Sequence, residues 1–411
     1  MKLMRRAASL KDVALLNLSD DSLASLVRKG NVGYVYELYN PQEAFAVVHH
    51  VSFYREDKRV PVERAWLRVH VLAACRRWLP AIGRFIDIPL CLAQIWWIAR
   101  RHKVAAIRGR GALFASAFGV IVASLRAIPC VVSIGGNNRL AWARLGRYPV
   151  LSNRRMTEML EEWVLTRADE VWCPNEYTRR YAIDRGVDPD RAVLMPWRLA
   201  GSALDTPTRG VSATIGAADG PIVLFVGRLE ADKHPGILLE ALPSVLRARR
   251  DVRAVFVGDG SLRASLIRRA TVLGVADRVT WTGFQSMAAV KTWLSAASVV
   301  CIPMSGFVVF EAAALARPMV VCDVEWHSEF ITNDETGVLV PDSDPDAMAQ
   351  AVLRVVGDDA FARRLGQAAQ RRLREHYDPL VIAAREVDRL ERLIGHHVGD
   401  GAMPSMTPVQ R

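Results

Sequence analysis

The sequence predicts an α/β protein of two domains, each a doubly wound parallel sheet, and three observations carry this. At ~150 residues per domain, 411 residues are enough for roughly two to three domains. Short apolar runs alternate with helical stretches along both halves, the pattern of repeated strand–helix units. Between the halves, residues 201–220 are Gly, Ser, Ala, Thr and Asp with little apolar content, the composition of a linker.

In the second half the alternation is regular. Residues 221–226 are an apolar run fit for a buried parallel strand, followed by a glycine turn and a helical stretch at 236–249. Strand character returns at 253–257, and Gly258-Asp259-Gly260 leads into a helix over 261–273. Residues 279–282, 299–303 and 319–322 read as further strands. A ligand of such a sheet sits at the carboxyl ends of its strands. The first half predicts strands at 13–18, 45–53, 104–107, 129–134 and 170–173, with helices at 112–125, 156–167 and 175–185. The expected organisation is a first domain over 1–200, a linker over 201–219 and a second domain over 220–379. A helix over 380–396 then crosses back to the first domain, and 397–411 form a disordered tail. Two such domains facing each other across a cleft suit the joining of two substrates.

Composition narrows the class. With 51% hydrophobic and 24% charged residues, general disorder is excluded. The longest nearly uncharged apolar stretches, 112–125 and 88–99, fall short of the ~20 residues of a membrane-spanning helix. Asp12, Asp20 and Asp21 follow the basic start too soon for a signal peptide. Six dispersed cysteines without a Cys-x-x-Cys pair argue against a zinc site or a disulfide framework and fit a reducing cytoplasm.

The net charge of +11 is unevenly divided. Residues 1–200 hold 31 Lys+Arg against 18 Asp+Glu, while the remainder holds 23 against 25. An arginine-rich composition bias should affect both halves alike. A basic domain beside a neutral one points to an anionic partner for the first half: a lipid surface, a phosphorylated acceptor or nucleic acid. Between 76 and 103, Arg76, Arg77, Arg84, Arg100, Arg101 and Lys103 mix with Trp78, Phe85, Trp96 and Trp97. That mixture suits either a membrane interface or core-facing helices with solvated arginines.

Several segments carry candidate chemistry. Arg228 and Lys233 flank a turn after the first strand of the second half and could converge on one anionic group. Ser305-Gly306-Phe307 precedes a helical run, where backbone N–H groups and the helix dipole favour an anion. Glu311 falls in the first turn of that run, where its carboxylate could accept from sugar hydroxyls. Together these suggest a diphosphate held by fixed cations in place of Mg²⁺. The Asp188/Asp190 and Asp342/Asp344 pairs have the spacing of metal ligands, but their flanking prolines read as turns and helix caps, so no metal is assigned. His49 and His50, adjacent on one strand, face opposite ways and read chiefly as sheet packing. Neither a Walker-type loop nor a full Gly-x-Gly-x-x-Gly fingerprint occurs, against NTPase and NAD readings.

The ordered set VGRLEADKHP, VFVGDG, WTGF, SGFVVFEAAALARPMVV and ETGVLVPDSDPDAMAQAV resembles family 4 glycosyltransferases of GT-B fold over 221–394. IPCVVSIGGNN and LEEWVLTRADEVWCPNEYTRRYA extend the likeness more loosely over the first half. The resemblance implies a retaining, metal-independent hexosyltransferase that uses a nucleotide-diphosphate sugar as co-substrate and has no other cofactor. It implies that Arg228 and Lys233 bind the donor diphosphate, to which the helix start at Ser305, Gly306 and Phe307 adds its N–H groups, and that Glu311 holds the ribose. Gly258, Asp259, Gly260 and Phe284 would frame the base, and the last helix would return to the first domain.

Two positions depart from the family pattern: Pro303 stands where the first Glu of the Glu-x7-Glu motif is expected, and Gly135 or a neighbour where many relatives carry His. The candidates left for the catalytic position are Asn137 and Asn138. The partners expected are a nucleotide-sugar donor, a lipid-linked or polysaccharide acceptor of the cell envelope and an anionic membrane surface, but not nucleic acid. The expected location is cytoplasmic, peripheral on the inner face of the membrane. A catalytically impaired nucleotide-sugar-binding partner subunit is the alternative, and a nonhydrolysing sugar-nucleotide epimerase of the same fold is a third reading.

Overall fold

The computed structural model describes residues 10–20, 22–28, 32–61, 63–72, 83–146, 150, 152–199, 220–304 and 306–399. The chain divides into two compact units. One comprises Met1–Trp142, Arg147–Arg198 and Pro379–Arg411; the other comprises Leu199–Asp378 with Ala143–Gly146. The expected linker over 201–219 lies outside the described residues.

In the first unit seven strands form one parallel sheet: β1 (Ala14–Ser19), β2 (Val47–Ser52), β3 (Leu67–Val71), β4 (Val104–Arg110), β5 (Cys130–Ser133), β6 (Glu170–Cys173) and β7 (Ala192–Leu194). Their order is β3-β2-β1-β4-β5-β6-β7. The central strands are buried on both faces and are legible by their apolar stretches, although β1 also carries Asn17 and β4 also carries Arg108 and Arg110. At the sheet edges, β3 reads LRVHV and β7 has three residues; neither has the apolar run that two-sided burial requires, and sequence reading misses both. The helix Phe114–Arg126 packs closely on the sheet because Gly119 has no side chain. A Cβ there would meet Leu18 at 2.9 Å and Ile107 at 3.1 Å.

The second unit has a six-stranded parallel sheet of β8 (Ile222–Val226), β9 (Arg253–Val257), β10 (Val279–Gly283), β11 (Val299–Ile302), β12 (Met319–Cys322) and β13 (Val338–Val340), in the order β10-β9-β8-β11-β12-β13. Its core joins these strands to the amphipathic helices Pro235–Ala248 and Pro345–Gly357. In each unit the strand order reverses direction once, between β1 and β4 in the first and between β8 and β11 in the second. At such a point the neighbouring loops part and leave a crevice.

The final helix, Pro379–Gly399, belongs to the first unit. It continues through His397, where the sequence predicts a disordered tail; the His397 ring lies 3.2 Å from the Leu393 carbonyl one turn back. Residues 400–411 lie outside the described set. The basic, tryptophan-bearing stretch contributes the helix Gly83–Arg101, with Trp96 packed on the core and Trp97 exposed. Arg76, Arg77 and Trp78 lie outside the described residues. Among the described residues no helix is long and apolar enough to cross a membrane.

Candidate functional site

At the switch point of the second unit, β8 and β11 pair through Val223–Val299 and Leu224–Val300. The loops leaving their carboxyl ends are therefore neighbours, and these loops carry Arg228, Lys233, Gly306 and Phe307. The Lys233 ammonium lies 4.0 Å from where a Cβ on Gly306 would stand, so the two segments meet. Arg228 is exposed and donates to Asp232, the residue before Lys233, at 2.6 Å. Burial lowers the Lys233 pKa below the ordinary lysine value, with Arg228 pushing the same way and Asp232 opposing. Ser305 lies outside the described residues.

Glu311 sits in the first turn of the helix Val308–Ala314. Burial raises its carboxyl pKa, against the pull of Lys291. The helix is fixed from behind by Phe310, which stacks on Trp326 at 5.3 Å and meets Phe330 edge-on at 5.1 Å. Gln370 donates to the Ala314 carbonyl at 2.7 Å, tying the helix end to the helix Asp359–His376.

The glycine loops after β8, β9 and β10 are drawn together by backbone contacts. Gly227 N–H donates to Val257, Gly258 N–H to the Gly283 carbonyl and Leu229 N–H to the Asp259 carbonyl, at 2.9–3.0 Å. Gly258 has φ +142°, and a Cβ there would overlap the Gly227 carbonyl oxygen. Phe284, 72% exposed, follows β10 as an unburied aromatic face beside this cluster. Of the residues singled out in this half, the structure thus brings Gly258, Asp259 and Gly260 to the loop cluster and Lys233 to Gly306.

A cavity of about 360 Å³ lies in the first unit at its own switch point. Asp20 after β1, Arg110 and Gly111 at the end of β4, Ser133 at the end of β5 and Gly135 after it, and Trp197 and Arg198 after β7 line it. Arg108 and Arg198 are buried and share the Glu386 carboxylate of the final helix, at 3.2 and 3.4 Å. Arg108 also lies over the Trp172 ring at 5.0 Å. A Cβ on Gly135 would meet nothing within 4 Å, so this position opens into free space. Sequence reasoning missed Arg108, Arg198 and Glu386; the only local trace is the run IRGRG at a strand end, with two arginines at a glycine turn.

The remaining candidates are occupied in structural bonds. Asn138 lines the cavity but donates to the buried Glu161 at 2.8 Å, and Asn137 accepts from the Leu140 N–H at 3.1 Å and donates to Tyr177 at 3.3 Å. Asp344 caps the helix Pro345–Gly357 through the Ala347 N–H, and Asp188 accepts from the Asp190 N–H. His49 and His50 are both buried. What no spacing rule anticipates is that His49, His70 and His102 converge, forming the one group among the described residues with three ligand atoms within 4.8 Å of one another.

A family model described as glycosyl transferases group 1 matches residues 214–372, and one described as a glycosyl transferase 4-like domain matches 30–197. The chain is 28% identical over 284 residues to the alpha-D-kanosaminyltransferase of Streptomyces kanamyceticus, a match spanning 66% of this chain and 71% of that protein. It is 31% identical over 233 residues to the D-inositol 3-phosphate glycosyltransferase of Xylanimonas cellulosilytica, about half of either protein (51% and 54%). Among solved structures, Anabaena HepE in complex with UDP superposes with a TM-score of 0.71 at 17% identity, covering 93% of this chain and 100% of that one. The last likeness is one of fold.

Proposed function

The chain belongs to the group 1 glycosyltransferases of family 4 type, with the GT-B fold, and from that membership we propose that it transfers a sugar from a nucleotide-diphosphate donor to an acceptor of the cell envelope, with retention at the anomeric carbon. The observation that carries this reading is the meeting of Lys233 with the Gly306 turn where β8 and β11 diverge. A diphosphate placed there faces the Arg228 guanidinium and the Lys233 ammonium together. Lys233 has lost hydration through burial, and the arriving anion restores a favourable field to it. The same fixed cations offset the charge that develops on the departing diphosphate, the work that a metal ion does elsewhere. No metal enters the donor step in this reading. Glu311 accepts from the ribose hydroxyls, and Phe284 with the Gly258–Gly260 turn frames the base.

The acceptor side of the proposal rests on the first-unit cavity and on the basic excess of residues 1–200. Arg110 and the Arg108–Arg198 pair suit an anionic group, and Trp142 and Trp197 suit the flat faces of sugar rings. A glycolipid or polysaccharide presented at an anionic membrane combines both features. A second reading, a nucleotide-sugar-binding subunit without turnover, is favoured by two positions: Pro303 in place of the first motif Glu and the side-chain-free space at Gly135.

The test is a thermal-shift screen of the full chain with UDP, GDP and ADP and their sugars, followed by donor-hydrolysis assays with and without EDTA. Stabilisation by one diphosphate and EDTA-resistant turnover are expected. Binding without any turnover selects the second reading, and loss of turnover in EDTA restored by Mn²⁺ overturns the metal-free donor step.

A further inference from the structure

We propose that His49, His70 and His102 bind one divalent transition-metal ion of the zinc class, which clips the edge of the first sheet to the end of the helix Gly83–Arg101. The residues come from three elements. His49 lies on β2 and His70 on the edge strand β3, where the parallel register (His49 opposite Arg68, Val51 opposite His70) puts both on one face of the sheet. His102 follows the last turn of the helix. His49 Nδ1 and His70 Nε2 are 2.8 Å apart, and one nitrogen of each of the three rings lies within 4.8 Å of the others. Zinc–nitrogen bonds of ~2.0–2.1 Å in a tetrahedron hold ligand nitrogens about 3.3 Å apart, so small side-chain rotations complete a tripod. The rings are already inclined to one another by 30–49°.

The hydrogen-bonding geometry of the cluster suits a metal. A hydrogen bond between His49 and His70 uses one proton and one lone pair. The His102 ring then has no hydrogen-bond partner among the described residues, only ring contacts to His49, His70 and Trp97. An ion engages all three at once. Arg68 beside His49 and Arg101 beside His102 oppose any cation. That favours ions that bond imidazole strongly, Zn²⁺, Ni²⁺ or Cu²⁺, over Mg²⁺ or Ca²⁺. Three histidines leave a fourth position for water.

His70 and His102 bracket the connection from β3 to the helix, so an ion bound only in the folded state closes that excursion and stabilises the first unit by mass action. The site uses none of the donor-side residues and is independent of the function proposed above.

The test uses the metal-stripped full chain, titrated with ZnCl₂ against a chromophoric chelator and separately with CoCl₂. One ion per chain is expected, with a rise in melting temperature and visible d–d cobalt bands stronger than those of aqueous CoCl₂, without thiolate charge transfer. His70→Ala and His102→Ala, both at partly exposed positions, should each weaken zinc binding at least tenfold and abolish the thermal shift. Their circular dichroism and nucleotide-diphosphate affinity, measured on the same samples, should match the metal-stripped parent, which separates this site from the donor site. Equal zinc affinity in parent and variants, a thiolate band, or no stoichiometric binding would each overturn the proposal. If a variant misfolds, His70→Asn and His102→Asn provide the same comparison.

Discussion

The Arg108 guanidinium stands 3.2 Å from the Glu386 carboxylate, although 278 residues separate them in the chain and both are nearly inaccessible to solvent. One buried carboxylate thereby anchors the final helix to the carboxyl end of β4 and also faces Arg198 at 3.4 Å. Glu170 makes a second tie, accepting from Arg389 at 2.6 Å and from the Trp172 indole at 2.9 Å.

Removing one partner of a buried ion pair strands the other. Glu386→Ala leaves the Arg108 cation buried against the Leu38 carbonyl, and a loss of ~3–5 kcal/mol is expected. Urea unfolding monitored by tryptophan fluorescence measures it. A change below 1 kcal/mol would show that the pair is solvated in solution.

On the donor side, Arg228→Ala and Lys233→Ala should each weaken nucleoside-diphosphate binding roughly ten- to a hundredfold, since a hydrogen bond to a charged group contributes ~1.5–3 kcal/mol. The matching nucleoside should bind both variants as it binds the parent. Glu311→Gln, in contrast, should weaken nucleoside and diphosphate alike. Isothermal titration with the three ligands separates these roles, and full diphosphate affinity in Arg228→Ala contradicts the assignment of that loop.

The basic excess of the first 200 residues makes a prediction about lipid. The full chain should sediment with vesicles containing anionic lipid and release as salt rises, because surface attraction is screened within ~10 Å at 0.1 M. Arg100 and Arg101 are exposed at the end of a helix, with Arg100 over the Trp96 ring at 5.4 Å. Replacing both with Gln should reduce sedimentation and leave nucleotide affinity unchanged. Absence of binding at low salt would indicate a soluble acceptor.

Acid stability should depend on Asp57. Burial works against its charge, but hydrogen bonds from Ser52, the Ala24 and Leu23 N–H groups and Ser22 outweigh it and hold the carboxyl below its usual value. A depressed folded-state pKa contributes stability that is present above the unfolded value, ~3.9, and is lost as pH falls through the folded one. Asp57→Asn should therefore be less stable than the parent at pH 7, with the gap narrowing below about pH 4. Denaturant midpoints from pH 7 to pH 3 give the comparison; a constant gap places the effect in packing instead.

Most of the α/β plan and the glycine turns at the strand ends could be read from sequence, because each rests on local rules. A strand buried on both faces is apolar along most of its length, so β1, β8, β11 and β12 announce themselves, and glycines stand where one loop's backbone presses on another's, as at Gly258 and Gly260. The places of Arg228 and Lys233 after β8 and of Glu311 after β11 could be read for the same reason, since the strands that position them precede them directly in the chain. Other features depend on contacts between distant segments. The edge strand β3 has no apolar signature, yet it brings His70 to His49, and a helix end adds His102. Glu386 looks like one more acid on an amphipathic surface until folding buries it against Arg108 and Arg198. Local burial and turn geometry leave a trace in the order of residues, whereas a charge pair or a histidine cluster assembled by long-range packing leaves none, because its spacing along the chain is set by the length of whatever folds in between.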